Sequence, residues 1–201
     1  MMISLTGFMG CGKSSVGRKL SALLSCPYAD LDSIIEESQG RSVPEIFASD
    51  GEAGFRRLEY KLLDEYLSLP VSGYEEMQPQ QEGNTDRNHI TGNKVSGVLS
   101  LGGGTVMSPE CAEIVHTKTT CIYLRASVET LVSHLEGKAE NRPLLSSACD
   151  AGKSSSESLR KRIGELLSLR SDTYEKTAHI IIDTDGKSID MIAEEILASV
   201  R

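Results

Sequence analysis

The sequence has no long apolar run and no excess of positive charge. No stretch approaches the roughly 20 apolar residues that a membrane-spanning helix needs, and the N-terminal run "MMISLTG" is too short for a signal-peptide core. The formal net charge of the 201 residues is -8, which gives no general attraction to nucleic acid or to an anionic membrane. We therefore expect a cytoplasmic protein that binds neither, and that binds any anion at a local site.

The sequence also lacks a C-x-x-C pair. Its five cysteines form an odd number, which is typical of a reducing compartment rather than of a disulfide framework or a zinc site. We expect all five to be free thiols: Cys11, Cys26, Cys111, Cys121 and Cys149.

Short apolar runs alternate with helical patterns along the chain. This alternation predicts an α/β fold in which helices cover both faces of a five-stranded parallel sheet, a three-layer αβα arrangement. The predicted strands are 2–6, 28–31, 98–101, 120–124 and 179–182. Helix starts are indicated by the capping-box spacing from Ser42 to Glu45, by Ser108 before a proline, and by Ser188 before an apolar stripe. The length and the hydrophobic content of 39% are those of one domain, 1–201.

Two polar segments interrupt this pattern. Residues 72–97 are rich in Gly, Gln and Asn without periodicity, so we predict a mobile insert there. Residues 137–157 are similar in composition, but they contain Arg142 followed by Pro143.

A phosphate-binding motif follows the first predicted strand. The stretch "GFMGCGKSS" contains Gly7-x-x-x-x-Gly12-Lys13-Ser14 between a strand and a helix, which is the context that a P-loop requires. In such a loop, backbone N–H groups and the helix N-terminus bind a polyphosphate. Lys13 is expected to reach the β- and γ-phosphates, and the Ser14 hydroxyl to bind Mg²⁺.

The third predicted strand ends in glycines rather than in a carboxylate. Nucleotide-binding folds often carry a magnesium-binding carboxylate at such a position, but "VLSLGGGTV" has none. Carboxylates instead occur in "DLD", where Asp30 and Asp32 close the second strand at the same predicted sheet edge as the P-loop. One could bind Mg²⁺ through water and the other an acceptor hydroxyl. The alternative is a pair of helix-capping or turn aspartates.

Arg56 has an acid on each side at helical spacing. Glu52 precedes it by four residues and Glu59 follows by three, on a helix whose predicted apolar stripe is Phe55, Leu58, Leu62 and Tyr66. One interpretation is a set of exposed ion pairs, each contributing about 0.2–0.5 kcal/mol. The other is that the acids orient the guanidinium for bidentate binding of a carboxylate.

Taken together, the motifs resemble those of one family. The series "GFMGCGKSS", "DLD", "GFRRLE", "LSLGGGTV", "NRPLL" and "LRSDTYEKTA" is similar to that of shikimate kinase, within the nucleoside monophosphate kinase-like P-loop group. The resemblance covers nearly the whole chain apart from 72–98. It implies a substrate-binding helical segment at about 32–60, a mobile lid at about 137–157, and transfer of the γ-phosphoryl group of ATP to the 3-hydroxyl of shikimate.

The resemblance also implies roles for individual residues. ATP is expected to contact Gly10, Cys11, Gly12, Lys13, Ser14, Ser15 and Arg142, with Mg²⁺ held by Ser14 and, through water, by Asp30. Shikimate is expected to contact Asp32, Arg56, Gly103 and Arg170, and the catalytic residues implied are Lys13, Asp32 and Arg142. The glycines would let the small polyhydroxylated ring approach the backbone. We expect a monomer whose partners are ATP and shikimate.

The chain departs from the family pattern in three places. The insert 72–97 is additional, Lys138 is the only cation in the stretch "HLEGKAEN" before Arg142, and Ser171 and Asp172 follow Arg170 where proline is usual nearby. Two other functions stay open: a related small-molecule kinase, such as a gluconate kinase, and a non-catalytic nucleotide-dependent interaction module. The first is disfavoured by Arg56, Arg170 and the glycine run, and the second by the intact set of charged residues.

Overall fold

The fold is a five-stranded parallel sheet with helices on both faces, as the sequence predicts. It is given by a computed structural model that describes residues 1–69, 95–136 and 155–200. The strand order is β2-β3-β1-β4-β5, and every neighbouring pair is parallel. The strands are β1 (Met2–Thr6), β2 (Tyr28–Asp30), β3 (Gly97–Ser100), β4 (Thr120–Arg125) and β5 (Ile180–Asp183).

The described helices follow the strands in alternation. They are α1 (Lys13–Leu24), α2 (Leu31–Gln39), α3 (Val43–Ser68), α4 (Pro109–Lys118), α5 (Val128–Leu135), α6 (Ser155–Thr177), α7 (Ile189–Ser199) and a 3₁₀ turn at Thr105–Met107. Helix α3 is broken at Gly51, whose backbone has φ 69° and ψ 177°. None of these helices combines the length and apolar character of a membrane span.

The predicted helix starts are confirmed by their caps. The hydroxyl of Ser108 accepts from the N–H of Cys111, and that of Ser188 from the N–H of Met191. At the start of α3, the carboxylate of Glu45 accepts a 2.7 Å hydrogen bond from the N–H of Ser42. These caps satisfy backbone groups that a helix end leaves unpaired.

The three central strands, β3, β1 and β4, are buried on both faces of the sheet. Ile3, Leu5, Ile122 and Leu124 pack on one face, while Met2, Leu99, Cys121 and Tyr123 pack on the other. Such strands are typical of a parallel sheet between two helical layers. The sheet is therefore a rigid support for the loops at its carboxyl edge.

The strand order reverses direction between β1 and β3. From β1 the chain passes to β2 and returns to β3, and it then crosses to β4 on the other side of β1. The loops that leave β1 and β3 consequently lie side by side, with the N–H of Leu101 donating to the carbonyl of Leu5 at 3.0 Å. In open α/β sheets, ligands bind in the crevice at such a point.

Both predicted polar segments overlap regular structure at one end. Gly97 is the first residue of β3, and the N–H of Ser96 donates to the carbonyl of Met1 at 2.8 Å, so the predicted insert extended too far toward the strand. Similarly, residues 155–157 of the predicted lid begin α6. Most of both segments, with Arg142, lies outside the described residues, as does Cys149. The other four cysteines are free thiols, as predicted.

Candidate active site

The P-loop turns between β1 and α1 at glycines whose backbone excludes other residues. Gly7, Gly10 and Gly12 all have positive φ, at 140°, 84° and 97°. A Cβ on Gly7 would also lie 2.7 Å from the carbonyl oxygen of Leu124, and one on Gly10 would lie 2.9 Å from Leu135. These glycines therefore allow the tight path that turns backbone N–H groups toward a phosphate.

Lys13 and the start of α1 supply positive charge at this loop. The Nζ atom of Lys13 donates to the carbonyls of Gly7 at 2.9 Å and Phe8 at 3.1 Å, so the ammonium group lies within the curve of the loop. The N-cap of α1 is Gly12, which has no side chain to occupy the first N–H groups of the helix. A helix start of this kind favours an anion.

A cleft of about 670 Å³ runs along the P-loop. The residues that line it include the eight consecutive P-loop and helix positions 9–16, together with residues from the end of α5 and from the segment after β5. The lining includes Met9, Gly10, Cys11, Gly12, Lys13, Ser14, Ser15, His134, Leu135, Thr184, Lys187 and Ile189. All sequence-predicted ATP contacts except Arg142 are thus at one cleft.

Asp30 is both a helix cap and a neighbour of Ser14. It is the last residue of β2, and its carboxylate accepts from the N–H of Asp32 at 3.2 Å at the start of α2. Its other oxygen accepts from the Ser14 hydroxyl at 2.9 Å and from the Tyr28 hydroxyl at 3.1 Å. The capping interpretation is therefore correct for Asp30, and it coexists with the arrangement expected of a magnesium-binding pair.

Asp32 belongs to a helix rather than to the end of a strand, where the sequence interpretation placed it. It does not close β2 but occupies the first turn of α2. Burial, together with the charges of Asp30 and Glu59, raises the pKa of Asp32 to about 6. A carboxylate with a pKa near neutrality can take up a proton under physiological conditions.

A second, smaller cavity of about 160 Å³ adjoins the cleft. It is lined by side chains of α2 and α3 and by the three glycines that follow β3, including Val43, Phe47, Phe55, Arg56, Glu59, Gly102 and Gly104. Met9, Asp32 and Gly103 line both the cleft and this cavity. Asp32 therefore lies where a group bound in the cavity would meet a phosphate bound at the P-loop.

The three glycines are required by the side chains and backbone around them. A Cβ on Gly102 would lie 3.0 Å from Asp32 Oδ1, one on Gly103 would lie 3.1 Å from the backbone nitrogen of Met9, and one on Gly104 would lie 2.5 Å from Arg56 Nη2. The glycine run thus brings the P-loop, Asp32 and Arg56 close to one stretch of backbone. This close packing is the reason that the structure gives for "GGG".

Arg56 is held by a buried carboxylate. Its Nη1 donates to Glu59 Oε2 at 2.6 Å, and Glu59 is fully buried, whereas the contact with the exposed Glu52 is 3.5 Å long. Burial is the largest single influence and lowers the pKa of Arg56, but the charges and hydrogen bonds of Glu59 and Glu52 together keep the pKa above its usual value. The interpretation of Arg56 as part of an exposed surface helix is therefore wrong.

Arg170 is placed behind the glycine run by α6. Its Nη1 donates to the carbonyl of Gly103 at 3.3 Å, and its guanidinium lies 5.9 Å from the centre of the Phe8 ring. The hydroxyl of Tyr174, one helical turn later, donates to the same carbonyl. The structure therefore brings Arg170 to Gly103, as the sequence predicted for two residues of one site.

Sequence reasoning missed three side chains of this site. Thr105 donates to Glu59 Oε1 at 2.6 Å, Tyr174 contacts Gly103, and Tyr28 contacts Asp30. A signal existed for Tyr174, because it lies four residues after Arg170 and so on the same face of a helix. No local pattern links Thr105 to Glu59, which is 46 residues away.

Comparisons with known proteins agree with this geometry. Residues 9–72 and 80–201 match the family model described as shikimate kinase. The shikimate kinase of Chlorobaculum tepidum is 36% identical over 200 residues, which are 100% of this chain and 90% of that protein. The shikimate kinase of Dictyoglomus turgidum is 34% identical over 201 residues, which are 99% of this chain and 96% of that protein.

A solved structure shares the fold. The shikimate kinase from Acinetobacter baumannii in complex with shikimate superposes with a TM-score of 0.77 and 29% sequence identity, covering 99% of this chain and 92% of that one. The family model leaves out only 73–79 between its two matched ranges, so it includes most of the segment 72–97 that the sequence analysis treated as an additional insert. The relatives match along their length as well as along this one. On the strength of sequence, fold and site together, the chain belongs to the shikimate kinase family.

Proposed function

We propose that the protein transfers the γ-phosphoryl group of ATP to the 3-hydroxyl of shikimate, giving shikimate 3-phosphate and ADP. The observation that carries the proposal is the position of Asp32, which lines both the P-loop cleft and the cavity that contains Arg56. A donor phosphate and an acceptor hydroxyl bound in these two spaces would meet at its carboxylate. Membership of the family and the shikimate complex of the Acinetobacter baumannii relative support the choice of acceptor.

ATP is proposed to bind with its phosphates at the P-loop. The backbone of Gly10 to Gly12, the start of α1 and the ammonium group of Lys13 form the positive side of the cleft. Phosphoryl transfer depends mostly on positioning and on the neutralisation of charge, which these groups provide. Arg142 lies outside the described residues, and we propose it as an additional cation for the transferring phosphate.

Mg²⁺ fits the oxygen atoms of Ser14 and Asp30. These two side chains are 2.9 Å apart, and oxygen ligands are those that Mg²⁺ prefers. Mg²⁺ usually keeps several waters and binds through one or two protein oxygen ligands and substrate phosphates. When bound, Mg²⁺ would neutralise charge on the phosphates. Ser14 would then bind it directly and Asp30 through water.

Shikimate is proposed to bind in the smaller cavity with its carboxylate at Arg56. The planar guanidinium can donate two parallel hydrogen bonds to a carboxylate, and Glu59 holds it from the buried side. Arg170 is proposed as a second cation for the acceptor, beside Gly103. Asp32 would accept a hydrogen bond from the 3-hydroxyl and receive its proton as the phosphate bond forms.

The experiment is an assay of ADP release with shikimate, with gluconate and without acceptor, followed by ³¹P NMR of the product. Of these three reactions, we expect turnover only in the one that contains shikimate, and we expect its product to carry the phosphate on the 3-hydroxyl. Turnover with gluconate instead would favour the related small-molecule kinase. ATP binding without turnover on either acceptor would favour the non-catalytic interaction module.

A further inference from the structure

Glu59 has two carboxylate oxygens, and each has a different partner. Oε2 accepts from Arg56 at 2.6 Å, and Oε1 accepts from the hydroxyl of Thr105 at 2.6 Å. Both Glu59 and Thr105 are fully buried. A buried carboxylate needs donors for both oxygens, because water cannot replace a missing one.

The position of Thr105 is fixed by its own backbone. Its N–H donates to the carbonyl of Gly102 at 3.2 Å, and its carbonyl accepts from the N–H of Ser108 at 3.3 Å. The residue therefore begins the 3₁₀ turn directly after the glycine run. These backbone hydrogen bonds fix the position from which the Thr105 hydroxyl donates.

A second carboxylate lies close to Glu59. The point where a Cβ on Gly102 would lie is 3.0 Å from Asp32 Oδ1, 3.0 Å from Thr105 Oγ1 and 3.2 Å from Glu59 Oε1. The titratable groups near Glu59 in the described part of the chain include Arg56, on its own helix, Asp32, on α2, and the Cys111 thiol, on α4. Loss of the Thr105 hydroxyl would leave Oε1 near a like charge without a donor, which favours rotation of the Glu59 carboxylate away from its present position.

We propose that Thr105 is a positioning residue for Arg56, acting through Glu59. By donating to Oε1, its hydroxyl holds the Glu59 carboxylate with Oε2 directed at the guanidinium. Arg56 is thereby held toward the acceptor cavity rather than toward the exposed Glu52, which is its other partner. The inference rests on the proposed function for the identity of the acceptor, but not for the contact itself.

The kinetic test compares Thr105→Val, which removes the hydroxyl, with Thr105→Ser, which retains it. We expect Thr105→Val to raise the KM for shikimate at least fivefold, because Glu59 without its second donor no longer holds Arg56 in place. The KM for ATP should stay within twofold. Thr105→Ser should remain within about threefold of the wild type for both substrates.

A matched control is Thr119→Val. The Thr119 hydroxyl is also buried, donating to the carbonyl of Val115 at 2.7 Å and contacting Ser4 at 2.7 Å, but it lies at the opposite edge of the sheet. We expect it to lower thermal stability without changing either KM. An equal rise in both KM values for Thr105→Val, an unchanged KM for shikimate in that variant, or an equal defect in Thr105→Ser would overturn the proposal.

Crystal structures of the Thr105 variants test the contact without any substrate. We expect the hydrogen bond between Arg56 and Glu59 to persist in Thr105→Ser and to be displaced in Thr105→Val. An undisturbed contact in Thr105→Val overturns the proposal, even if the wild type fails to phosphorylate shikimate. Failure of the proposed function is seen separately, as a wild type without turnover.

Discussion

The guanidinium of Arg56 lies against the backbone of Gly104, so closely that a Cβ there would be 2.5 Å from Nη2. The other hydrogen-bonding side of Arg56 is held by the buried Glu59. The arginine is therefore enclosed between a glycine and an acid. This arrangement links the glycine run after β3 to the helix that carries the arginine proposed to bind the acceptor.

Gly104→Ala should displace Arg56 without unfolding the protein, because the clashing atom is the end of a flexible side chain. We expect the KM for shikimate to rise at least tenfold while the KM for ATP changes little. Steady-state kinetics and thermal unfolding measure the two effects. Gly164→Ala is the control, since no atom lies within 4 Å of its added Cβ; in mid-helix it should raise stability by up to about 1 kcal/mol. Unchanged shikimate kinetics in Gly104→Ala would contradict the account.

Asp32→Asn should increase stability while it reduces turnover. The folded protein raises the pKa of Asp32 from 3.8 to about 6, so ionised Asp32 opposes folding above that pH. Removing the charge should stabilise the variant relative to the wild type by about 1–3 kcal/mol at pH 8. The stability difference between Asp32→Asn and the wild type should shrink as the pH falls through 6 toward 4, because the Asp32 carboxyl of the wild type then becomes neutral.

Chemical denaturation at pH 8, 6 and 4, with kcat for shikimate, checks this prediction. Asp172→Asn, at an exposed position of α6, is the control and should show neither effect. A less stable Asp32→Asn at pH 8, or one whose advantage grows in acid, would show that the carboxylate is favoured by the fold.

His179 should make the protein less stable in mild acid. Its Nδ1 accepts from the N–H of Cys121 at 3.1 Å, which requires an unprotonated nitrogen, and its ring stacks on His116 at 4.4 Å. Burial and then the neighbouring His116 lower the pKa of His179. Its contribution is thus present above the ordinary histidine pKa and is lost as the pH falls through the lowered one.

Melting temperatures from pH 8 to pH 5 test this prediction. The wild type should lose more stability over that range than His179→Phe, which keeps an aromatic ring but does not titrate. His116→Phe removes one of the two causes of the lowered pKa of His179. Its loss of stability from pH 8 to pH 5 should therefore lie between those of the wild type and of His179→Phe. Parallel pH dependence in all three proteins would exclude His179 as the titrating group.

Local patterns predicted the parts of the site that depend on neighbouring residues. The P-loop followed from the spacing of Gly7, Lys13 and Ser14 between a strand and a helix, and the structure places Lys13 and Ser14 at the cleft. The position of Asp32 was only approximate, because α2 begins directly after β2. Sequence could indicate that two carboxylates lie at the sheet edge but not where the strand ends.

The burial of the ion pair between Arg56 and Glu59 could not be predicted from sequence, because it depends on long-range packing. The spacing from Arg56 to Glu59 indicates an ion pair, but its burial depends on the glycine run and on Thr105, which are distant in the chain. The predicted apolar stripe consequently omitted Glu59, which is buried with Phe55, Leu63 and Tyr66. An acid within a stripe is paired by tertiary neighbours that periodicity alone does not identify.

Arg56→Lys keeps the charge but removes the planar pair of donors. We expect kcat/KM for shikimate to fall at least about tenfold, consistent with about 1.5–3 kcal/mol for a hydrogen bond to a charged group, while ATP binding stays near normal. Arg57→Lys, at the next and exposed position, is the control and should behave as the wild type. Arg170→Lys should resemble Arg56→Lys if it also binds the acceptor.

The most direct test of the account compares shikimate with an analogue that lacks the carboxylate, on the wild type and on Arg56→Lys. The account predicts that the wild type loses at least about tenfold in kcat/KM on the analogue, and that the two proteins then differ by less than about threefold, because the mutated contact has no carboxylate to hold. If the wild type uses both acceptors equally well, or if Arg56→Lys is equally impaired on both, Arg56 does not bind the carboxylate and the account is wrong.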